Sequence, residues 1–246
     1  INISTRGGDI SATNLSGKVE LSVVSGDINI FDCHANSMLT MDNGNIFING
    51  LKGNLLSNTT LGETLVSNYE GESSVFNINV GNLKINKSKS NINATIDIGS
   101  VNIDNIQGTT TIFTGKGEIN LNNIIGDVNC NTNFGNVNGI NLFGKINVNS
   151  ELGDIEINKG YNSFLKDHSV NIATKRGSIS VRLPSDLPYA INSQCHNLET
   201  RNAISSEIPL DEEFLSAKVV AQGKIKAGTI SCNLSSNYGP ISIFKN

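Results

Sequence analysis

The chain has 246 residues, of which 16% are charged, and its net charge is −4. This composition disfavours nucleic-acid binders and proteins that bind anionic lipid, because both need clustered basic side chains. Only 5% of the residues are aromatic and Trp is absent, so the stacking platforms of sugar grooves and of single-strand nucleic-acid sites are weakly supported. No apolar stretch approaches the roughly 20 residues of a membrane span, so no membrane insertion is predicted.

Glycines recur in steps of nine residues through the first two thirds of the chain. Ala35 interrupts the series once, and the interval from Gly71 to Gly99 is 28 residues, which predicts one extra residue near Gly81. A fixed short period is typical of solenoid repeats. The glycines of the series stand at positions 8, 17, 26, 44, 53, 62, 71, 99, 108, 117, 126, 135, 144 and 153.

The residues after each glycine alternate between apolar and polar, as in Ile28, Asn29 and Ile30. A period of two predicts a half-buried strand with one face directed inward. Asn follows many of these segments, and Gly and Asn are the residues that most easily adopt a positive φ. Each nine-residue unit is therefore predicted to contain one short strand and one corner.

Two successive units differ in the residue that stands two places before the glycine. This residue is mostly apolar in one set, as Leu51 is before Gly53, and mostly polar in the other, as Asp42 is before Gly44. The alternation predicts a coil of about 18 residues with two inequivalent sides. Parallel stacking of such coils gives an all-β fold, a parallel β-helix or β-solenoid, with aliphatic side chains in one inner column.

The predicted organisation is a single solenoid domain over 1–246, with regular coils at 1–158 and an inserted loop at 159–168. Less regular coils follow at 169–246, and strands are predicted at 223–227, 228–232 and 239–243. Within this part, 183–216 contains three of the four prolines and an acidic run, so it is predicted to be irregular. Its expected role is to cover open strand edges near the C-terminal end.

The repeated phrase resembles a known family. Gly is preceded by Ser or Asn, followed by Asp, Asn or Glu, and then by alternating Ile or Val, and the series ends in GSISVRLP at 177–184. This pattern, which covers about 8–181, is similar to the adhesin family known as the auto-transporter adhesin head or GIN domain. The resemblance implies a right-handed parallel β-helix and supplies no catalytic residue. Eukaryotic members are thought to enter mitochondria, whereas bacterial members are surface or periplasmic proteins.

Neither metal ligands nor a cofactor site are predicted. His34, His168 and His196 lie far apart in sequence with no second ligand at metal spacing, and the first two are expected to be solvated. A calcium-binding nonapeptide ladder would need a carboxylate in every unit. Asp follows Gly directly in only some of them, at positions 9, 27, 127 and 154.

The four cysteines are predicted to be mostly free. Cys33 and Cys130 are about five coils, roughly 25 Å, apart, which excludes a disulfide between them. Cys130 occupies an inward position and is expected to be a small buried side chain, whereas a bond between Cys195 and Cys232 stays open. Free thiols favour a reducing compartment, in line with an intracellular or mitochondrial location, with the cell surface as the alternative.

The sequence favours a non-enzymatic scaffold or interaction module with a protein partner. Two alternatives stay open: a secreted or surface adhesin whose Asn, Ser and Thr faces contact glycans, and a degenerate polysaccharide-acting enzyme that uses Asp211 or Glu212. The acidic run at 211–213 is expected to be a solvated loop. The residues predicted to contact a partner lie in the inserted loop and in the irregular section and are Tyr161, Phe164, Leu165, Asp211, Glu212, Glu213 and Phe214.

Overall fold

The computed structural model describes residues 1–196 and 203–246, and these contain strands, turns and bends without a helix. Parallel strands about 18 residues apart form a β-solenoid, which confirms the predicted fold class and coil length. The chain forms two compact units, Ile1–Asn120 and Leu121–Asn246. The assignment of 1–246 to one domain stays a prediction.

The first unit is built entirely from parallel pairs that join equivalent residues of successive coils. In one inward column, Ile30 pairs with Ile48, Ile48 with Val66, Val66 with Ile85, and Ile85 with Ile103. All five side chains are buried, so the aliphatic alternation of the sequence does form an inner column. The strands are β1 (Asn2–Thr5), β2 (Ile10–Thr13), β3 (Ser16–Ser25), β4 (Ile28–Asn43), β5 (Ile46–Lys52), β6 (Leu55–Leu61), β7 (Thr64–Val80), β8 (Leu83–Ile98), β9 (Val101–Gln107) and β10 (Thr110–Lys116).

Some coils of this unit have three residues with a positive φ, where two corners per coil were predicted. In one coil the bends are marked by Gly44, Gly50 and Gly53, with φ values of 143°, 77° and 129°. The bend at Gly50, which was not predicted, recurs once per coil at a residue whose φ lies in the left-handed region. In this region Asn and Asp are the commonest residues other than Gly. This bend was not recognised in the sequence because different residue types occupy it in successive coils. The residues are Asn14, Asp32, Gly50, Asn68, Lys87 and Asn105.

The extra residue of the repeat lies in β7 and not near Gly81. The pairing of β7 with β8 shifts between Glu70 and Ser73, because Glu70 pairs with Lys89 whereas Ser73 pairs with Asn91. The sequence interval could not place the insertion, since any position between Gly71 and Gly99 gives the same spacing. A bulge absorbs one residue and restores the register on the next coil.

The acidic or amide residue after the glycine connects successive coils. The Oδ1 atom of Asp27 accepts a hydrogen bond from the backbone N–H of Asn45 at 2.7 Å, and Asn45 Oδ1 accepts one from the N–H of Glu63 at 3.0 Å. Asp and Asn both offer this acceptor, whereas only Asp offers a charge. The repeated Asp or Asn is thus explained by a hydrogen-bond ladder between corners.

The second unit begins within β11 and repeats the same parallel pairing. Ile155 pairs with Val137 and with Ile179, and Ile179 also pairs with Ile241. Its strands are β11 (Ile119–Ile125), β12 (Val128–Phe134), β13 (Val137–Leu142), β14 (Ile146–Leu152), β15 (Ile155–Lys159), β16 (Val170–Arg176), β17 (Ile179–Leu183), β18 (Tyr189–Cys195), β19 (Ile204–Ser206), β20 (Leu210–Leu215), β21 (Lys218–Lys224), β22 (Ile230–Tyr238) and β23 (Ile241–Lys245).

The section at 183–216 is more regular than predicted, because it contains strands β18, β19 and β20. Pro184, Pro188 and Pro209 lie immediately outside strands, where a missing N–H is tolerated, so the prolines mark strand ends. Strand β21 pairs antiparallel with β18 and with β20. Residues 197–202 of this section lie outside the described residues.

Two further expectations for the C-terminal part were wrong. The strand predicted at 223–227 ends at Lys224, because Lys226 and Gly228 adopt positive φ values of 53° and 64° in the turn that follows. The run Asp211 to Glu213 is exposed, as expected, but it lies in strand β20 and not in a loop. Charged residues on this strand discourage pairing with a second copy of itself.

Several hydroxyl groups in the core have no hydrogen-bond partner, and Thr114 is one of them. Because its side chain is fully buried, replacing Thr114 by the isosteric Val removes an unpaired polar atom without leaving a cavity. We expect Thr114→Val to raise the free energy of unfolding by about 1 kcal/mol, measured by urea denaturation.

Thr59 provides the matched control, since its Oγ1 atom lies 3.2 Å from that of Thr64 and both residues are buried. Thr59→Val leaves the Thr64 hydroxyl unpaired and should destabilise the protein by about 1–2 kcal/mol. Equal effects of the two substitutions would contradict this account of the core.

Candidate functional site

The inserted loop of the second unit, here the 160–168 loop, connects β15 to β16 and interrupts the regular coil. Its tip is a tight turn in which Asn162 Oδ1 accepts a hydrogen bond from the N–H of Phe164 at 3.0 Å, and Asn162 O accepts one from the N–H of Leu165 at 3.1 Å. Phe164 is 93% exposed and Tyr161 is 49% exposed. The turn thus holds an aromatic side chain in solvent.

Lys159 lies at the start of this loop and is fully buried. Its Nζ atom donates hydrogen bonds to three backbone carbonyl oxygens, those of Leu142 at 3.2 Å, Phe143 at 2.7 Å and Gly160 at 3.2 Å. Because the regular coil is interrupted at the insertion, few other hydrogen-bond donors are available to the backbone carbonyl groups there. Lys159 therefore serves as a buried donor that holds the loop base.

His168 lies at the other end of the loop and is also buried, so the expectation of a solvated histidine was wrong. Its Nδ1 atom lies 3.0 Å from the carbonyl oxygen of Phe143, the same atom that accepts from Lys159. The hydroxyl of Tyr189 donates to the carbonyl oxygen of His168 at 3.0 Å, and the ring of Tyr161 packs against the imidazole. Both ends of the loop therefore converge on one carbonyl group.

The ring of Phe143 completes this base. A Cβ atom added to Gly160 would lie only about 2.5 Å from two ring atoms of Phe143, so a larger residue at that position would require this ring to shift. We call Phe143, Lys159, Gly160 and His168 the loop base. The loop base fixes the direction in which the turn with Phe164 projects.

Burial dominates the electrostatics of the loop base. It lowers the pKa of Lys159 to about 7, against the opposing influence of Asp127 and Asp167, whose charges raise this pKa. The pKa of His168 is also lowered, first by burial and then by the charge of Lys159. A backbone hydrogen bond from Ser169 is the main cause that lowers the pKa of Asp167. The two basic groups thus favour their neutral forms more than they would in water.

Lys159 and His168 are the functional candidates that sequence reasoning missed. The alternation of β15 directs Ile155, Ile157 and Lys159 to the same inward face, so an inward lysine was the available signal. A buried lysine without a carboxylate in contact is unusual and points to a specific local role. Because the Nζ atom is enclosed by carbonyl groups, that role is to hold the loop base.

The predicted partner-contact residues form two separate groups in the sequence, and the structure describes both. Tyr161, Phe164 and Leu165 share the 160–168 loop, where Leu165 is half-buried. Phe214 is 65% exposed on β20, and alternate residues of that strand point to opposite faces. Asp211 and Glu212 therefore do not face each other as a catalytic carboxylate pair would.

All four cysteines are free thiols and buried, so the bond left open between Cys195 and Cys232 is not formed. Cys130 is buried as predicted, and burial raises its pKa to about 12. His34 and His196 are exposed. Among residues 1–196 and 203–246 there is no group of three His, Cys, Asp or Glu side chains placed to hold a metal ion.

No helix in the described part of the chain is long and apolar enough to cross a membrane. Comparison of the chain with protein-family models, with curated proteins and with solved structures gave no match.

Proposed function

We propose that this protein is a non-enzymatic scaffold that binds a protein partner through the 160–168 loop. The observation that carries the proposal is Phe164, which is 93% exposed on a turn held in place by the loop base. Aromatic side chains are enriched at protein interfaces, where a few residues contribute most of the binding free energy. The hydrogen-bonded turn that carries Phe164 also reduces the backbone entropy that must be lost on binding.

The partner that fits this surface is a protein with an apolar pocket for one aromatic side chain. The turn is polar around the aromatic group, since Ser163, Lys166 and Asp167 are exposed. A polar rim around one apolar anchor is the common arrangement of interface contacts. The resemblance to the adhesin family supports an interaction role and adds no site to it.

The test of this proposal is Phe164→Ala. Because Phe164 buries almost no surface in the folded protein, the substitution should leave the unfolding midpoint unchanged within about 0.5 kcal/mol. Partner capture by the immobilised protein should fall at least about tenfold, corresponding to the loss of a hot-spot residue.

Phe134 offers a matched control, since it is 52% exposed and lies outside the loop. Phe134→Ala should retain the captured partner at the wild-type level. Equal capture by the wild type and by Phe164→Ala would refute the proposed role of the loop.

A groove on the first unit favours a second candidate function, adhesion to glycans. Phe31 and Phe47 line this groove together with Leu65, and Asn and Ser side chains surround them. Aromatic faces can pack against the apolar face of a sugar ring while amides bind its hydroxyl groups. Binding to a glycan array that is lost in Phe47→Ala would support this candidate, and absence of binding by the wild type would exclude it.

A further inference from the structure

Exposed aliphatic residues lie in a row at one corner of the first unit. Leu61 pairs with Val80, and Val80 pairs with Ile98, so the three residues occupy successive coils. They are 48%, 42% and 51% exposed, respectively. Single exposed aliphatic residues are normal on a protein surface, whereas interaction surfaces contain contiguous apolar side chains. We call these three residues the aliphatic stripe.

The fold does not require aliphatic residues at this corner. The equivalent position is Asn43 on the coil before the stripe and Lys116 on the coil after it. Each stripe residue is followed directly by a glycine, Gly62, Gly81 or Gly99, so no side chain of the next residue covers it. The stripe is therefore apolar surface that core packing does not explain.

Acidic side chains surround the aliphatic stripe. The positions from one residue before the stripe to two residues after it, taken on the five coils from Asn43 to Lys116, contain four carboxylates and one basic residue. These exposed charged residues are Asp42, Glu63, Asp97, Glu118 and Lys116. A second copy of the chain would bring the same carboxylates against these, and an anionic membrane would also be repelled. The charge therefore favours a basic partner.

The spacing of the stripe favours an α-helix as the bound element. Adjacent coils are about 4.8 Å apart, so the stripe presents one side chain about every 4.8 Å along the axis of the first unit. A helix that lies along this axis presents one apolar residue per turn of about 5.4 Å, and the mismatch accumulates to only about 1.2 Å over three residues. A strand presents side chains on one face about every 6.7 Å, so it loses register by about 2 Å at each coil.

We propose that the aliphatic stripe binds a basic amphipathic helix of a partner protein. Aliphatic residues one turn apart on that helix contact Leu61, Val80 and Ile98, while its Lys or Arg side chains face the surrounding carboxylates. The apolar contact supplies affinity, and the charges set the orientation and the rate of association. The stripe uses no residue of the 160–168 loop, so this inference goes beyond the proposed function and either can fail without the other.

A designed peptide tests the inference with the purified chain. The probe is a fluorescein-labelled peptide of about 14 residues, with Leu at every third or fourth position and with Lys and Ala elsewhere, which spans about 21 Å as a helix. The control peptide has the same composition with Leu at every second position, the period of a strand. Fluorescence anisotropy should show saturable binding of the probe, and the control should bind at least about tenfold more weakly. Equal binding of the two peptides, or no saturable binding of the probe up to about 1 mM, would overturn the proposal.

A first pair of variants assigns the binding to the stripe. Val80→Ser should weaken binding of the probe at least about fivefold, because it removes the central apolar contact. Val24→Ser is the matched control, since Val24 is 45% exposed and lies about two coils before Leu61, outside the stripe. Val24→Ser should leave binding unchanged, and equal effects of the two substitutions would contradict the proposal. A dimer of the chain that dissociates in Val80→Ser would assign the stripe to a second copy and would also overturn it.

A second pair of variants tests the role of charge. Asp97→Lys should weaken binding of the probe at least about fivefold, because Asp97 directly precedes Ile98. Glu72→Lys makes the same change in net charge at an exposed residue of β7, on the order of 25 Å from Val80 along the strand. Charges at that distance are screened at physiological ionic strength, so Glu72→Lys should have little effect. Equal losses in both variants would show that only net charge matters, and the stripe would not be the site.

Discussion

Replacing Gly99 by Ala is expected to destabilise the first unit by at least about 4 kcal/mol. Gly99 has a φ of 148°, a region that side chains bearing a Cβ atom avoid. A Cβ atom added there would also overlap the carbonyl oxygen of Gly81 on the preceding coil. Neither atom can move freely, because the backbone N–H of Gly99 is itself bonded to Lys116 O at 2.8 Å.

Two other glycines separate the two causes of this loss. Gly17 has a φ of 94° but open space around its Cα atom, so Gly17→Ala should cost only the backbone strain, about 1–2 kcal/mol. Gly7 has neither restriction, and Gly7→Ala should change stability by less than about 0.5 kcal/mol. Urea denaturation of the three variants gives the order, and equal losses at Gly99 and Gly7 would contradict close stacking of the coils.

The second large effect concerns the pH dependence of global stability, which Lys159 should dominate above neutral pH. Its pKa is lowered to about 7 in the folded protein, so the unfolded chain binds more protons between this value and the ordinary lysine value. Wild-type stability should therefore rise with pH in this window. Relative to Lys159→Met, the gain from about pH 7 to about pH 9 is expected to be about 2–3 kcal/mol.

The comparison with Lys159→Met is needed because other groups also titrate in this range. Denaturant unfolding of both proteins at a series of pH values gives the difference directly. A constant difference between the two curves would show that Lys159 is charged at all these pH values in the folded state. Below about pH 7 both states hold the lysine proton, so the difference should level off there.

How much of the molecule could be predicted from sequence depends on the range of the interactions involved. The strand alternation at Ile28 and Ile30 predicted burial correctly, because inward and outward positions are set by the local period of two. The place of the inserted residue in β7 was not predicted, since it depends on which of several equivalent positions bulges. Prolines were taken as signs of irregularity although they mark the ends of strands such as β18.

The candidate site was likewise predicted only in part from the sequence. The exposed Phe164 was predicted as part of an inserted loop, because the loop interrupts the repeat and is therefore visible in the sequence. Lys159 and His168 were not assigned to a common site, and His168 was expected to be solvated. Their shared acceptor belongs to Phe143, which lies on an earlier coil.

By itself, the sequence determined the solenoid, its coil length and the residues of the inward column. The reason is that each repeat has the same alternation of apolar and polar residues and each coil pairs with its neighbours in register. Only the tertiary structure decided where the coil bends a third time and what happens at the insertion. The physical reason is that a broken repeat leaves backbone carbonyl groups whose partners must come from elsewhere in the chain. In this protein Lys159 supplies those hydrogen bonds from a buried position at the base of the 160–168 loop.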